Sequence, residues 1–198
     1  MKRLITMCAV VVMLLCTYAS ADIQYATGTG GGIWYYPNSG TVGTEFEANR
    51  NLTLSMLGIW DENGDGLSDA HDVALFATDG TLLASVTIAA GTSNPLVNGY
   101  RWADAAPVAL VQGTHYVLGA FYPDGDDRFK DRATIDPAFT LVKDLYRDGA
   151  PFDIPTTEYF YDGRGWYGPN LQAVPIPAAV LLGLLGLGAA GVKLRKHA

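Results

Sequence analysis

The stretch DENGDGLSDAHD, Asp61 to Asp72, packs more potential ligands into twelve residues than any other part of the chain. Hard cations such as calcium want clustered oxygens, and a twelve-residue loop offers them at alternating positions around a sharp glycine turn. Asp61, Asn63 and Asp65 stand at the first three such positions, and Gly66 at the turn. Leu67 would give its carbonyl, Asp69 follows, and Asp72 closes the loop. Aspartate at the closing place reaches less far than glutamate for bidentate binding. The same residues also read as a Gly-, Asp- and Asn-rich connection between two strands. Calcium is the one cofactor the sequence suggests, and a plain turn is the competing reading.

Other chemistry is sparser. DGDDRFKD, Asp124 to Asp131, mixes acids with Arg128 and Lys130 and reads as a solvated loop. Aromatics cluster in IWYYPNSG (Trp34, Tyr35, Tyr36) and in EYFYDGRGWYG (Tyr159, Tyr161, Trp166, Tyr167). Flat rings beside Asp and Asn suit the faces and hydroxyls of a glycan; the alternative is that they fill a core. His71 and His115 are the histidines of the body, and neither has a nucleophile in a recognisable motif. No G-x-S-x-G, H-E-x-x-H or P-loop is present, so no catalytic residues are assigned and a non-enzymatic protein is expected.

The elements that must position these residues are short. Runs such as LTLSMLGIW, DVALFA, LLASVTIAA, GYRWA, HYVLGAFYP and FTLVKDLY alternate or carry β-branched residues between turn signals. Asp79-Gly80 is a hairpin dipeptide, and Asp162-Gly163 suggests a closing hairpin. About nine strands at this spacing predict an all-β, antiparallel β-sandwich of the jelly-roll or Ig-like kind. ATGTGGGIWYYPNSG is too glycine-rich at its start for a regular strand and reads as an irregular arm.

Both ends differ from this body. MKR, an apolar run and Ala19-Ser20-Ala21 form a secretory signal, with cleavage before Asp22 expected. Both cysteines, Cys8 and Cys16, lie inside it, so the exported domain would hold itself without disulfides. From Val174 to Val192 no residue is charged, enough to cross a bilayer as one transmembrane helix, and Lys193, Arg195 and Lys196 follow. Five of the 13 basic residues sit in the end segments and all 20 acidic ones between them. The body therefore carries a net charge of −12, which excludes nucleic acid as a partner. The resulting division is 1–21 signal peptide, 22–48 arm and first strand, 49–172 sandwich, and 173–198 tail.

Two resemblances follow from these residues. Leu52 to Ala120, with GDGL, GTLLAS, a Y-R strand and YVLGA in order, resembles a bacterial β-sandwich module of unassigned function. The tail motif Val174-Pro175-Ile176-Pro177-Ala178, the span and the basic tip are similar to the PEP-CTERM class of sorting signals, in a V-P-L-P-A-like form. That likeness implies recognition by an exosortase, passage through the secretion machinery and the inner membrane, and delivery to the cell surface or an extracellular matrix. A structural or adhesive role beside exopolysaccharide would follow. A permanently anchored envelope protein and a calcium-dependent carbohydrate-binding module are the alternatives.

Overall fold

The computed structural model describes residues 22–28, 33–35, 39–123, 126–159 and 165–176. The signal residues Ala19 and Ala21, Tyr36 and Tyr161 of the aromatic clusters, Asp162-Gly163, and Pro177, Ala178 and the span after them lie outside the described residues. Among those described, no helix is long and apolar enough to cross a membrane.

The described chain is all-β. Its strands in order are β1 (Ile23–Gln24), β2 (Ala26–Thr27), β3 (Ile33–Tyr35), β4 (Gly40–Ala48), β5 (Leu52–Trp60), β6 (His71–Ala77), β7 (Leu82–Ile88) and β8 (Leu96–Val97). There follow β9 (Tyr100–Asp104), β10 (Ala109–Leu110), β11 (His115–Tyr122), β12 (Arg128–Lys130), β13 (Thr134–Ile135), β14 (Phe139–Asp148), β15 (Thr157–Tyr159) and β16 (Pro169–Pro175). One sheet runs β1-β16-β5-β9-β8 with β10 on β5; the second runs β15-β14-β4-β11-β6-β7. Two short ladders, β3 with β12 and β2 with β13, complete the set.

Alternation explains the layers. In β4, Val42, Thr44, Phe46 and Ala48 turn inward while Glu45 and Glu47 are half-exposed on the other face. β5 buries Leu52 and Leu54 and, after its phase shifts at Ser55-Met56, Leu57 and Ile59. The two sheets meet over one apolar core, the arrangement of a β-sandwich. Tyr25, Phe46 and Phe139 form its ring triad, with centroids 5.1–5.5 Å apart and two edge-on contacts. The Asp79-Gly80 turn joins β6 and β7 as expected: Gly80 takes φ +92°, and Asp79 Oδ1 accepts the Thr81 amide at 2.9 Å.

Two expectations are corrected. The glycine-rich arm is not simply irregular: Ala26–Thr27 pairs with Thr134–Ile135, Ile33–Tyr35 with Arg128–Lys130, and Tyr25 is fully buried. The segment around Trp166 does not close a hairpin. β15 pairs with β14, whereas β16 belongs to the other sheet, so the chain changes sheets there. Asp22–Val174 forms one compact unit that takes in both 22–48 and the sandwich. Its ends lie side by side, Ile23 opposite Ala173 and Gln24 opposite Gln172.

Candidate functional site

The acidic loop after β5 is organised from inside the protein. Asp61 is 2% exposed and Arg101, from β9, is 5% exposed. Arg101 Nε donates to Asp61 Oδ2 at 2.7 Å, and its remaining nitrogens donate to the carbonyls of Gly64 (3.0 Å), Thr92 (3.2 Å) and Asn94 (2.9 Å). One guanidinium thus ties the 61–67 loop to the 92–97 loop. Its fixed fork of donors suits several acceptors at once. The Gly66 amide closes the turn on Asp61 at 3.2 Å.

Several of the groups named for calcium have other partners. Asp61 is committed to Arg101. The carbonyl of Leu67 accepts from the Gly91 amide at 2.7 Å. Asp72 has left the loop: it sits in β6, where its Oδ1 accepts the Thr87 hydroxyl at 2.6 Å. Asn63 and Asp65 point to solvent as exposed residues, and the Asp69 amide donates to Asp127. Among the described residues, no group of three or more His, Cys, Asp and Glu side chains is placed to hold a metal ion.

The second acidic loop is not merely solvated. Asp127 reaches back to the first, accepting the Ser68 and Asp69 amides at 2.9 and 3.0 Å. It also meets His71 Nε2 at 2.8 Å. His71 is fully buried, and its Nδ1 lies 2.8 Å from the Phe121 carbonyl. Both ring nitrogens are thus engaged within the protein. Burial pushes the Asp127 carboxyl up, but the hydrogen bonds from His71, Ser68 and Asp69 outweigh it and hold the group below the ordinary carboxylate range. His71, at the start of β6, therefore clamps the second acidic loop to β11. His115, on the outer face, contacts Glu45 at 2.8 Å through Nδ1 and Glu47 at 3.7 Å through Nε2.

Of the aromatic residues considered for glycan, two have their rings in the core. Trp166 and Tyr167 are 7% and 6% exposed and belong to the core. Trp166 stacks among Phe129 (4.9 Å) and Tyr159 (4.6 Å), because the chain crosses between the sheets there and brings its rings inside. Trp34 and Tyr35 lie in β3, paired with Phe129 and Arg128. Beside Trp166 stands Asp144, 9% exposed, whose Oδ1 accepts the Trp166 amide at 3.1 Å. Burial pushes its carboxyl up to about 6, and that one hydrogen bond offsets only part of the rise.

Val174 and Pro175 of the tail motif are the last residues of β16, and Ile176 follows half-buried. The motif therefore begins within the sheet. Proline is tolerated where a strand ends and its missing N–H costs no ladder bond. Asp22, the expected first mature residue, is exposed beside β1.

Sequence reasoning missed Arg101 and Asp127, the two residues that lock both acidic loops. Asp61 to Asp72 contains no lysine or arginine, and nothing in GYRWA ties its arginine to that stretch. No curated protein matches the chain. Residues 35–163, well over half the chain, match the family described as Domain of unknown function (DUF4082); the match takes in both acidic loops and Arg101 and ends before β16. The chain belongs to that family.

Proposed function

We propose that the chain is an exported surface or matrix protein, processed at both ends, whose sandwich plays a non-catalytic structural or adhesive part near exopolysaccharide. The observation that carries this is where the compact unit stops. It runs Asp22–Val174, and its two boundaries fall where the sequence places the expected signal cleavage and the tail motif. Because β1 and β16 are paired neighbours, the two expected cut points stand at one corner of the domain. A domain held that way is tethered from one edge before release and is left whole afterwards. An exosortase acting near Pro175 and Pro177 would leave Leu171 and Ala173, which are core residues, in place.

The non-catalytic part draws support from the spent ring nitrogens of His71 and from the enclosure of Asp144 among Trp166 and its neighbours. Mass measurement on the protein recovered from the cell exterior tests the reading. Residues 1–21 and the basic tip Lys193–Ala198 should both be missing; their retention contradicts it.

A further inference from the structure

The outward face of the second sheet is half covered. Residues 149–156, between β14 and β15, cross it, and Phe152 and Ile154 pack on Ala74, Phe76, Val117 and Leu145. Pro155 lies against Gly119, its Cδ 3.1 Å from where a Cβ would stand. The cover stops short of β7. Between Phe152-Asp153 and the β6–β7 hairpin it leaves an open groove of about 430 Å³, within the ~300–1,000 Å³ range of small-molecule sites.

The walls of this groove differ. Phe152 and the exposed Leu82 give one apolar side. Asp72, Ser85 and Thr87 give a polar row: Asp72 is opposite Thr87 and Ala74 opposite Ser85, so the three stand together on the sheet. The groove is not simply a trap for cations. Asp153, at its rim, is ion-paired with Arg147 at 2.6 Å and also accepts the Ile154 amide. Asp72 is turned to Thr87. What remains is a row of hydroxyl and carboxylate hydrogen-bonding groups facing an aromatic and an aliphatic side chain.

We propose that this groove binds a neutral saccharide, with the apolar face of a sugar ring against Phe152 and Leu82 and its hydroxyls on Asp72, Ser85 and Thr87. A pyranose has that division of faces; of the two carboxylates a cationic peptide would seek, Asp153 is already paired with Arg147. The site lies on the sheet that carries neither β1 nor β16. This deepens the surface-protein reading and rests on it only for where the sugar would be met.

The test is affinity electrophoresis of the full chain in detergent through gels containing a soluble β-glucan, mannan or galactan, with an oligolysine binding assay alongside. At least one polysaccharide should retard the protein. Ser85→Trp, which fills the groove from an exposed position, and Asp72→Ala should each weaken retardation at least tenfold with the melting temperature retained. Thr87→Val, a near-isosteric change, should weaken it several-fold and guards against misfolding of the other two. No retardation by any of the three, retardation unchanged in the folded variants, or binding to oligolysine alone would overturn the proposal. None of these outcomes alters the mass expected for the processed protein, so the two readings fail separately.

Discussion

A buried guanidinium and a buried carboxylate are each costly alone and tolerable together, because removing one leaves the other charged without solvent. Arg101 and Asp61 are both almost wholly enclosed, so Arg101→Ala should destabilise the domain by about 3–5 kcal/mol in urea unfolding. Asp61→Asn combined with Arg101→Met should recover much of that loss, since no uncompensated charge remains. An Arg101→Ala protein of unchanged stability would remove Arg101 as organiser of the loop. Asp144 works in the opposite sense. Its folded carboxyl is raised to about 6 against an ordinary ~3.9. The folded state therefore binds the proton more tightly, and stability falls as pH rises from about 4 through about 6. At neutral pH the ionised group costs on the order of 3 kcal/mol. Asp144→Asn, which keeps an acceptor for the Trp166 amide, should be more stable than the parent by about 1–3 kcal/mol at pH 7 and equal to it near pH 4. A difference independent of pH would show that Asp144 is not held as described. Neither residue was readable as a partner from the sequence. Asp61 and Arg101 are 40 residues apart, and nothing local in GYRWA marks its arginine for a loop on another strand.

At the scale of elements, local pattern and long-range pairing behave differently. The alternation in β4, β5 and β11 and the Asp79-Gly80 turn were legible because period and turn chemistry are local properties. The sheet change between β15 and β16 was not, because both flanks of the Asp162-Gly163 dipeptide satisfy a strand pattern whichever sheet they join. The same holds for the arm, whose glycines suggest irregularity while Tyr25 and the two short ladders tie it down. Close approach between strands adds a test here. Gly58 of β5 is paired with Trp102 of β9, and a Cβ at Gly58 would stand 2.5 Å from the indole. Trp102 is 1% exposed and has no room to retreat. Gly58→Ala should therefore destabilise by about 1–3 kcal/mol through overpacking, read as a lowered midpoint in thermal unfolding. A neutral substitution would mean that β5 and β9 do not pack as tightly as this.

For the whole molecule, the apolar ends, the −12 body and the absence of cysteine between them were all visible as composition. The sequence could not tell that the two ends of the domain are neighbours, since that follows from β1, at the start of the domain, joining β16 at its end. Buried Asn170 fastens this corner, its amide donating to the Ala26 carbonyl at 2.6 Å and its carbonyl accepting the Ala26 amide at 3.1 Å. A cut after Val174 leaves those bonds intact. The intact mass of the protein recovered from the cell exterior tests the central claim most directly. The account predicts a single species beginning at Asp22 and ending within Val174–Ala178. A species that begins at Met1, or one that still carries Lys193–Ala198, would contradict it.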